Sequence, residues 1–397
     1  MSSQLRRVSV RNFRALADVS LDLEPVTVLF GPNGSGKSSF LDTIWFARDC
    51  AVRGVETASS ARSHGIGLLY DGAEPGSNLV ISLETDTARY QLELGVSSGR
   101  IEISPGELLT VSGTDDPLIK RSVGSDTVDF FSSGLKQPVA TLLRDTARLS
   151  LDRFLDMEPR AFPDALDMDH ALRAVHKYHS RSFNLYRLGQ QGSEVGPETR
   201  LYERADNLFS VLRNLRDRSG RDDRYETIHR FMRRAFPMYD GLEIEQTSPT
   251  TVYCSFLERG RREPIRASGV SDGHLQLLTL LTALFAEPRE RLPLIMYDEP
   301  ETSLHPWALA VFAEAVKEAA GHFGRQVIIA THSPVLISQF EPDEVIAAEL
   351  KDGRTTLTRV SEMSELTALL DEYAAGSLYM TQTLAPQSSA PQAPVPA

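Results

Sequence analysis

Hydrophobic and polar residues alternate along the first thirty residues in the manner of β-strands. The segments LRRVSVRNF (5–13) and ADVSLDL (17–23) alternate, whereas VTVLF (26–30) is almost continuously apolar. Alternation indicates strands with one buried face, and a continuous apolar run is typical of a strand buried on both faces. A glycine-rich turn follows, and the apolar spacing of FLDTIWFARDCAV (40–52) predicts a helix after that turn.

The middle of the chain changes pattern twice. Strand-like segments lie in the region 66–112, at 79–85, 88–95 and 99–104, and their short polar connections predict an antiparallel meander. Residues 113–138 are polar and rich in Gly and Ser, which predicts a loop or mobile segment. Residues 139–235 are mainly helical in pattern, and one short strand is predicted over 182–188. The predicted helical segments are 139–155, 169–179, 201–217 and 225–236.

The last third of the chain returns to an alternating β and α pattern. A hairpin is predicted over 242–258, and a helix over 274–285. The apolar runs PLIMYDEP (293–300) and QVIIATH (326–332) flank a helical segment at 307–320, as in a parallel sheet covered on both faces. A closing hairpin is predicted over 343–360, with its turn at Asp352-Gly353.

Composition and charge narrow the class of protein. Of the 397 residues 41% are hydrophobic, which is enough for a large core. The net charge of −12 argues against a protein that coats nucleic acid through bulk positive charge, although a local basic face is compatible with it. Two cysteines exclude a disulfide framework and a cysteine-rich zinc site. The longest apolar run, 275–285, is too short to span a bilayer, so we expect a cytoplasmic protein with no membrane partner.

The glycine-rich turn carries the clearest chemistry. Residues 31–38, GPNGSGKS, fit the pattern G-x-x-x-x-G-K-[ST] and lie between an apolar strand and a helix. In this context backbone N–H groups and the helix N-terminus surround phosphates. Lys37 is expected to contact the β- and γ-phosphates, and Ser38 to bind Mg²⁺. The predicted nucleotide-binding residues here are Asn33, Gly34, Ser35, Gly36, Lys37, Ser38 and Ser39.

A second motif ends the apolar strand near residue 298. Asp298 and Glu299 are adjacent carboxylates at the end of LIMYDE. We predict that Asp298 holds Mg²⁺ and that Glu299 orients and polarises the attacking water. A pair of solvated acids at a strand end is common, but the phosphate loop requires a carboxylate for its metal ion.

These motifs, with three others in the same order, resemble the ATP-binding-cassette superfamily and its RecF/SMC-like branch. The others are SGVSDG (268–273), which resembles the signature motif with SDG in place of SGG, SLHP (303–306), and THSP (331–334). The opening VRNFR (10–14) looks like the first strand of that branch. The resemblance, over residues 4–350, implies an α/β fold: an ABC-type P-loop ATPase head, with a mixed sheet, an antiparallel lobe and a mainly helical insertion.

The resemblance implies a head-to-tail homodimer that uses ATP and Mg²⁺. ATP lies between the phosphate loop of one subunit and Ser271 and Gly273 of the other. It also implies that Arg14 lies near the nucleotide and that His332 senses the γ-phosphate. Gln190, after the predicted strand 182–188, is a candidate Mg²⁺ ligand; two solvated amides at 190 and 191 fit the pattern equally well.

The predicted units are the N-terminal half of the head (1–138), a mainly helical insertion (139–235) and the C-terminal half of the head (236–360). A C-terminal helix with a disordered Pro-rich tail (361–397) is predicted after them. The chain has no internal repeat and no sustained heptads, so the long arms of a chromosome-structure protein are not expected. The residues after His332 predict no Toprim nuclease domain, and the SDG signature argues against a transporter subunit.

Residues 172–234 are locally basic, with 14 Arg or Lys against 8 acids. This segment could face DNA phosphates, or it could be an ordinary solvated helical surface with ion pairs. Two roles follow. The ATPase could serve a DNA-linked process such as repair or genome maintenance, or it could regulate a separate effector, such as a nuclease or toxin in antiviral defence.

Overall fold

The computed structural model describes residues 4–97, 100–158, 160–221, 223–288 and 292–363. The strands are β1 (Arg7–Phe13), β2 (Leu16–Asp22), β3 (Val26–Phe30), β4 (Leu79–Glu84), β5 (Ala88–Leu94), β6 (Val96–Ser97), β7 (Arg100–Ile101), β8 (Gly106–Val111), β9 (Ile119–Arg121), β10 (Thr127–Ser132), β11 (Gln137–Leu142), β12 (Val175–His179), β13 (Ser193–Glu194), β14 (Tyr239–Ser248), β15 (Thr251–Glu258), β16 (Ile265–Arg266), β17 (Leu294–Asp298), β18 (Gln326–Thr331), β19 (Val345–Lys351) and β20 (Arg354–Arg359). The helices are α1 (Lys37–Arg53), α2 (Val55–Ser60), α3 (Ser150–Met157), α4 (Pro163–Arg173), α5 (Leu185–Gln191), α6 (Leu208–Arg216), α7 (Arg224–Ala235), α8 (Asp272–Phe285), α9 (Pro306–Phe323) and α10 (Pro334–Ile337).

A six-stranded sheet in the order β12-β17-β18-β3-β19-β20 forms the centre of the fold. Its first five strands are parallel, and β20 pairs antiparallel with β19. The register places Phe30 beside Thr331, and Asp298 between Ala330 and His179. The carboxyl ends of β3, β18, β17 and β12 therefore meet at one edge of the sheet, where ligands bind in open α/β folds.

Strand periodicity divides the hydrophobic core into two layers. On β17, Ile295 and Tyr297 pack with α6, α7, α8 and α9 on one face, whereas Leu294 and Met296 pack with α1 and α4 on the other. The second layer also contains the inner face of an eight-stranded antiparallel sheet, in the order β11-β10-β9-β8-β5-β4-β1-β2. This arrangement is the mixed sheet with an antiparallel lobe that the sequence predicts.

Several stretches of secondary structure differ from the sequence predictions. The helix predicted over 139–155 is wrong in its first part, because β11 continues to Leu142 and α3 begins only at Ser150. The loop predicted over 113–138 is wrong, because β9, β10 and the start of β11 extend the antiparallel sheet through it. These strands are short and rich in polar residues, so the local composition predicts a loop instead of strands. The boundary predicted at residue 138 also falls inside β11.

The predicted helical segment contains a strand of the central sheet. The helix predicted over 169–179 ends at Arg173, and VHKYH forms β12, which pairs with β17. The strand predicted over 182–188 is wrong: a single helical turn follows β12, and α5 begins at Leu185. β12 shows that the segment 139–235 contributes to the six-stranded sheet itself.

The C-terminal helix and Pro-rich tail predicted over 361–397 lie almost wholly outside the described residues, which end at 363. Among the residues that the structure describes, no helix combines the length and the apolar character needed to cross a lipid bilayer.

A buried histidine in α7 predicts an acid-sensitive fold. His229 is 3% exposed, lies between the rings of Tyr225 and Tyr239, and shares a 2.7 Å hydrogen bond with the Tyr239 hydroxyl. Burial lowers the pKa of His229 to about 4, and the charge of Arg233 acts in the same direction against that of Glu226. The unfolded chain therefore binds a proton that the folded chain does not bind between about pH 6.5 and 4.

We expect the free energy of unfolding to fall as the pH is lowered from 6.5 to 4, by up to about 3 kcal/mol from this group. Urea unfolding of the wild type and of His229→Gln at pH 7 and pH 4.5 measures the effect. The variant should lose less stability than the wild type between the two pH values. Equal losses in the two proteins would contradict the prediction.

Candidate nucleotide-binding site

The predicted phosphate loop connects the fully buried strand β3 to α1. Gly36, with φ of 95°, ends the loop, and a Cβ at this position would lie 2.3 Å from Oγ1 of Thr355. A side chain is therefore excluded there both by backbone conformation and by space. The residues predicted to surround the phosphates lie in this loop or in the first turn of α1: Asn33, Gly34, Ser35, Gly36, Lys37, Ser38 and Ser39.

Lys37 folds back over the loop that precedes it. Its Nζ donates hydrogen bonds to the carbonyl oxygens of Gly31, at 2.8 Å, and Pro32, at 2.9 Å. The side chain is 5% exposed, and burial lowers the pKa of Lys37 to about 8, against the raising effect of nearby carboxylates led by Asp298. The ammonium group thus lies inside the loop, held by acceptors that phosphate oxygens can replace.

Ser38 and Asp298 meet across the carboxyl edge of the sheet. The Ser38 hydroxyl donates a 2.9 Å hydrogen bond to Oδ1 of Asp298. Asp298 is the last residue of β17 and is 2% exposed. A hydroxyl and a carboxylate in this arrangement are oxygen donors of the kind that Mg²⁺ takes beside nucleotide phosphates.

Glu299 adopts a left-handed backbone conformation, with φ of 55°, immediately after the strand. Its N–H donates to the carbonyl oxygen of Ala330 at 2.8 Å, and Oε1 lies 3.7 Å from Nε2 of His332. The His332 backbone N–H donates a 2.7 Å hydrogen bond to Oε1 of Glu301. Burial lowers the pKa of His332, and the positive charge of Lys37 acts in the same direction. The structure thus brings Glu299 and His332 together.

Two cations on β12 and the turn after it contact the carboxylates, and the sequence motifs do not include either of them. Nζ of Lys177 lies 3.9 Å from Oδ2 of Asp298, and a guanidinium N–H of Arg181 lies 2.8 Å from Oε2 of Glu299. The Arg181 side chain is 72% exposed and the Glu299 side chain 20%. Correct assignment of β12 as the neighbour of β17 would have found both residues.

Arg14 lies in the turn between β1 and β2, beside α1. It has φ of 49°, and its guanidinium forms a 3.0 Å ion pair with Asp42 of α1. The same turn accepts a hydrogen bond from the N–H of Thr355, the residue that packs against Gly36. Arg14 is therefore connected to the phosphate loop through α1 and β20.

Ser271 and Gly273 lie at the start of α8. Ser271 is exposed, precedes the helix, and its hydroxyl shares a 2.7 Å hydrogen bond with Nδ1 of His274. A Cβ at Gly273 would approach the carbonyl oxygen of Ser303 to 2.9 Å. Within the described ranges, no hydrogen bond or ion pair joins these two residues to the phosphate loop of the same chain.

No hydrogen bond or ion pair among the described residues joins Gln190 to Ser38, Asp298 or Glu299. Gln190 is exposed in the last turn of α5, and the strand that was expected to precede it is helical. Its neighbour Gln191 accepts a hydrogen bond from Arg187. The structure therefore does not support Gln190 as a metal ligand, and the sheet edge beside Asp298 is occupied by Lys177 and Arg181.

The solved structures of similar fold include SMC head domains. The head domain bound to the C-terminal winged-helix domain of ScpA covers 89% of this chain and 97% of its own, with a TM-score of 0.55 and 13% identity. The Pyrococcus furiosus head with an extended coiled coil, bound to the C-terminal domain of ScpA, covers 93% and 99% with a TM-score of 0.53 and 13% identity. The chain has the α/β fold of an SMC head.

Similar sequences include a nuclease and two DNA repair proteins. The OLD nuclease of Thermus scotoductus is 24% identical over 90% of this chain, and the chain spans 64% of that protein's length. The Rad50 ATPase of DNA double-strand break repair from Halobacterium salinarum is 27% identical over 51% of this chain and 22% of its own length. RecN of Bacillus subtilis, a DNA repair protein, is 26% identical over 41% and 28%.

A family model matches most of the chain. Residues 26–338 match the model described as "AAA domain, putative AbiEii toxin, Type IV TA system". That range begins at β3 and includes the phosphate loop, the signature segment, the Asp298-Glu299 pair and His332. The chain therefore belongs to this AAA family and, within it, to the ABC-class ATPases of RecF/SMC type.

Proposed function

We propose that this chain hydrolyses ATP at the carboxyl edge of its six-stranded sheet. The observation that carries the proposal is the meeting of Ser38 with Asp298 at 2.9 Å, with Glu299 on the next residue. The loop, the Ser38 hydroxyl and the Asp298 carboxylate thus lie together, with a second carboxylate on the next residue, which supports a metal-dependent reaction at this edge. The family membership supports the same reaction.

The donor set fits Mg²⁺. Ser38 and Asp298 would hold the ion through oxygen atoms, the ligands that Mg²⁺ prefers. This pair contains neither a thiol nor an imidazole, which would favour a transition metal instead. Bound there, Mg²⁺ would neutralise charge on the β- and γ-phosphates. Lys37 would exchange its two carbonyl acceptors for phosphate oxygens, which form stronger charge-assisted hydrogen bonds.

Glu299 is the proposed general base. Its carboxylate would orient the attacking water and accept its proton, and His332 would contact the γ-phosphate from the neighbouring strand end. The left-handed backbone at Glu299 directs the carboxylate toward His332 rather than along β17. A residue fixed in this strained conformation is typical of functional sites.

Arg181 would respond to the γ-phosphate. The Glu299 carboxylate is held in an ion pair by the Arg181 guanidinium, 2.8 Å from its Oε2. The γ-phosphate carries more negative charge than one carboxylate and would compete for the guanidinium. Transfer of Arg181 to the phosphate would free Glu299 to act on water and would place positive charge where it develops in phosphoryl transfer.

We expect Arg181→Ala to weaken Mg·ATP binding about tenfold, the value of one charge-assisted contact, and to leave Mg·ADP binding unchanged. Calorimetry with both nucleotides measures the two constants. Arg181→Lys should restore part of the ATP affinity. Arg187→Ala is the matched control, because Arg187 is an exposed arginine that pairs with Asp206 instead. Equal effects of Arg181→Ala on ATP and ADP would contradict this role.

The signature residues support a dimer. Ser271 and Gly273 are accessible at the start of α8 and have no hydrogen bond to the phosphate loop of their own chain in the described residues. We propose that they complete the site of a second copy, where the helix N-terminus would meet the γ-phosphate. ATP would then hold two copies together, and hydrolysis would release them.

A DNA-linked process is the proposed context. The relatives named above include a double-strand break repair ATPase, a repair protein and a nuclease. The basic segment gives modest support, since several of its cations are neutralised by acids outside it: Arg173 by Asp152, Arg230 by Glu318 and Arg234 by Glu314. Arg213 and Arg218 form no ion pair with a described residue and are the better candidates for phosphate contacts.

The alternative is an ATPase that regulates a separate effector. It is supported by the family, which is described as a putative toxin of a toxin–antitoxin system. In that role, contact with DNA would be secondary to control of the effector. Stimulation of turnover by DNA that is lost in Arg213→Glu/Arg218→Glu supports the first role. A stable complex with the product of a neighbouring gene, unaffected by that variant, supports the second.

Phosphate release from Mg·ATP tests the proposed reaction itself. The wild type should release phosphate, and Asp298→Asn should reduce the rate at least a hundredfold because the metal ligand is lost. The exposed Asp115→Asn is the control. Absence of turnover in the wild type, with and without DNA and across nucleotide concentrations, would contradict the proposal.

A further inference from the structure

A second charged site lies at the far end of α1 from the phosphate loop. A groove of about 280 Å³, here called the arginine groove, opens between the last turns of α1, β12 and the segment 200–206. Its arginine lining residues are Arg48, Arg53, Arg200 and Arg204, and His176, whose Nε2 lies 3.4 Å from the Glu287 carboxylate, also lines it. Lys37 and Arg53 are the two ends of one helix, about 24 Å apart at 1.5 Å per residue.

The positive charge of the arginine groove is only partly balanced. In the described part of the chain, Arg200 and Arg204 form no ion pair. Of the two acids in the lining, Asp206 is already paired with Arg187 at 3.7 Å, which leaves Glu203. The guanidinium charges are therefore in excess, and each presents several N–H donors to the groove.

Arg48 supplies a buried donor without an acceptor. Its side chain is 6% exposed, one terminal N–H bonds Asp49 at 3.0 Å, and the guanidinium lies 4.5 Å from the ring centre of Trp45. Its Nε has no hydrogen-bond partner among the described residues. An unpaired N–H on a buried charged group is unfavourable, so the positive charge at this wall of the groove is incompletely balanced.

The positive charge of Arg53 is only weakly neutralised. Its closest carboxylate is Asp49, at 4.0 Å, and Asp49 already accepts hydrogen bonds from Arg48 and Arg62. One carboxylate thus serves three arginines. Arg48 and Arg53 both line the groove, and the segment 200–206 contributes Arg200 and Arg204 to the same lining.

We propose that the arginine groove binds a phosphate group. The planar fork of arginine matches the oxygens of phosphate, and four arginines on two walls can surround a doubly charged anion. The volume is large enough for a phosphate with part of the molecule that carries it, with Trp45 as an apolar neighbour. The phosphate can come from a free phosphorylated molecule or from a nucleic-acid backbone, which share this chemistry.

The two elements that form the groove also form the nucleotide site. α1 carries Lys37 and Ser38 at its start and Arg48 at its end. On β12, His176 lines the groove, and the next residue, Lys177, contacts Asp298. Binding of an anion in the groove would therefore affect the positions of both α1 and β12. The groove itself does not depend on the proposed ATPase activity, and its test is independent of turnover.

Calorimetry with inorganic phosphate tests the site in the Lys37→Met background, which removes the main phosphate ligand of the loop. The test variant is Arg200→Ala/Arg204→Ala, at exposed or half-buried positions that leave the core intact. The matched control is Arg259→Ala/Arg261→Ala, which removes the same charge from the exposed turn after β15. Thermal unfolding confirms that all three proteins are folded.

We expect phosphate to bind the background protein and the control equally, and the test variant at least tenfold more weakly. A second arm replaces phosphate with a short oligothymidylate. Binding that also requires Arg200 and Arg204 assigns the phosphate to a nucleic acid, and binding of inorganic phosphate alone assigns it to a free molecule. Equal constants in the test and control variants, or no binding to the background protein, would overturn the proposal.

Discussion

Replacement of Lys37 by methionine is expected to abolish measurable ATP binding. Lys37 is the only side-chain cation that extends from the loop itself, and it would donate charge-assisted hydrogen bonds to two phosphates. Two such contacts correspond to about 3–5 kcal/mol, or a loss of about 150-fold to several thousandfold in affinity. Equilibrium binding of a fluorescent ATP analogue, followed by displacement with ATP, measures the change.

The fold should survive this substitution. The pKa of Lys37 is lowered to about 8 in the folded protein, below the usual value of 10.5, so burial of the charged form opposes folding at pH 7. This opposition declines as the pH rises from about 8 toward 10.5. Methionine keeps the apolar stem, and we expect a thermal midpoint at pH 7 no lower than that of the wild type.

Lys120→Ala is the control for Lys37→Met, because Lys120 is an exposed lysine on β9. It should bind ATP as the wild type does. ATP affinity within threefold of the wild type in Lys37→Met would show that residues 31–38 are not the phosphate site.

Replacement of Glu299 by glutamine is expected to lower the ATP turnover rate about a hundredfold to ten-thousandfold, the usual contribution of a general base. The amide keeps the size of the side chain and its capacity to accept a hydrogen bond from Arg181, but it cannot take a proton from water. ATP binding should be retained. Single-turnover hydrolysis, with nucleotide binding measured on the same samples, separates the two effects.

The control for this substitution is Glu263→Gln, an exposed carboxylate in the segment before β16. It should leave turnover unchanged. A Glu299→Gln variant that retains more than a tenth of the wild-type rate would assign the role of base to another group, and Glu301, whose Oε1 bonds the backbone N–H of His332, would then be the next residue to test.

The sequence predicts the centre of the site because its motifs are local. The loop 31–36 is a glycine pattern between an apolar strand and a helix, and each part has a physical requirement that adjacent residues meet. Asp298 and His332 follow strands whose apolar residues are continuous, so their positions at one sheet edge follow from parallel pairing. In the structure Ser38 lies 2.9 Å from Asp298, and Nε2 of His332 lies 3.7 Å from Oε1 of Glu299, while the roles of these residues stay predictions.

The contributions of β12 depend on contacts distant in the sequence. VHKYH follows a helix without a turn signal and contains three polar residues, so its apolar spacing is also compatible with a continued helix. Only pairing with β17 makes it a strand, and this pairing brings Lys177 and Arg181 to the two carboxylates. The sequence pattern places the strand later, at 182–188, and for this reason it predicts Gln190 as the residue that reaches the metal ion.

The antiparallel lobe shows the same limit in another form. In β10 and β11 exposed residues outnumber buried ones, and Gly, Ser and Asp between the strands are typical of loops. Their strand conformation comes from the pairing of each with its neighbour at the edge of an eight-stranded sheet. Composition over a short window carries no record of that pairing.

The mass of Glu299→Gln in solution tests the central claim most directly, because it reports ATP binding, the composite site and the requirement for hydrolysis together. Light scattering is measured with Mg·ATP, with Mg·ADP and without nucleotide. We expect twice the chain mass of 44.0 kDa with Mg·ATP, because ATP joins two copies, and a lower mass with Mg·ADP. Ser271→Arg in the same variant should prevent the increase. If the mass is the same in all three conditions, with each nucleotide at a saturating concentration, then ATP does not join two copies of the chain.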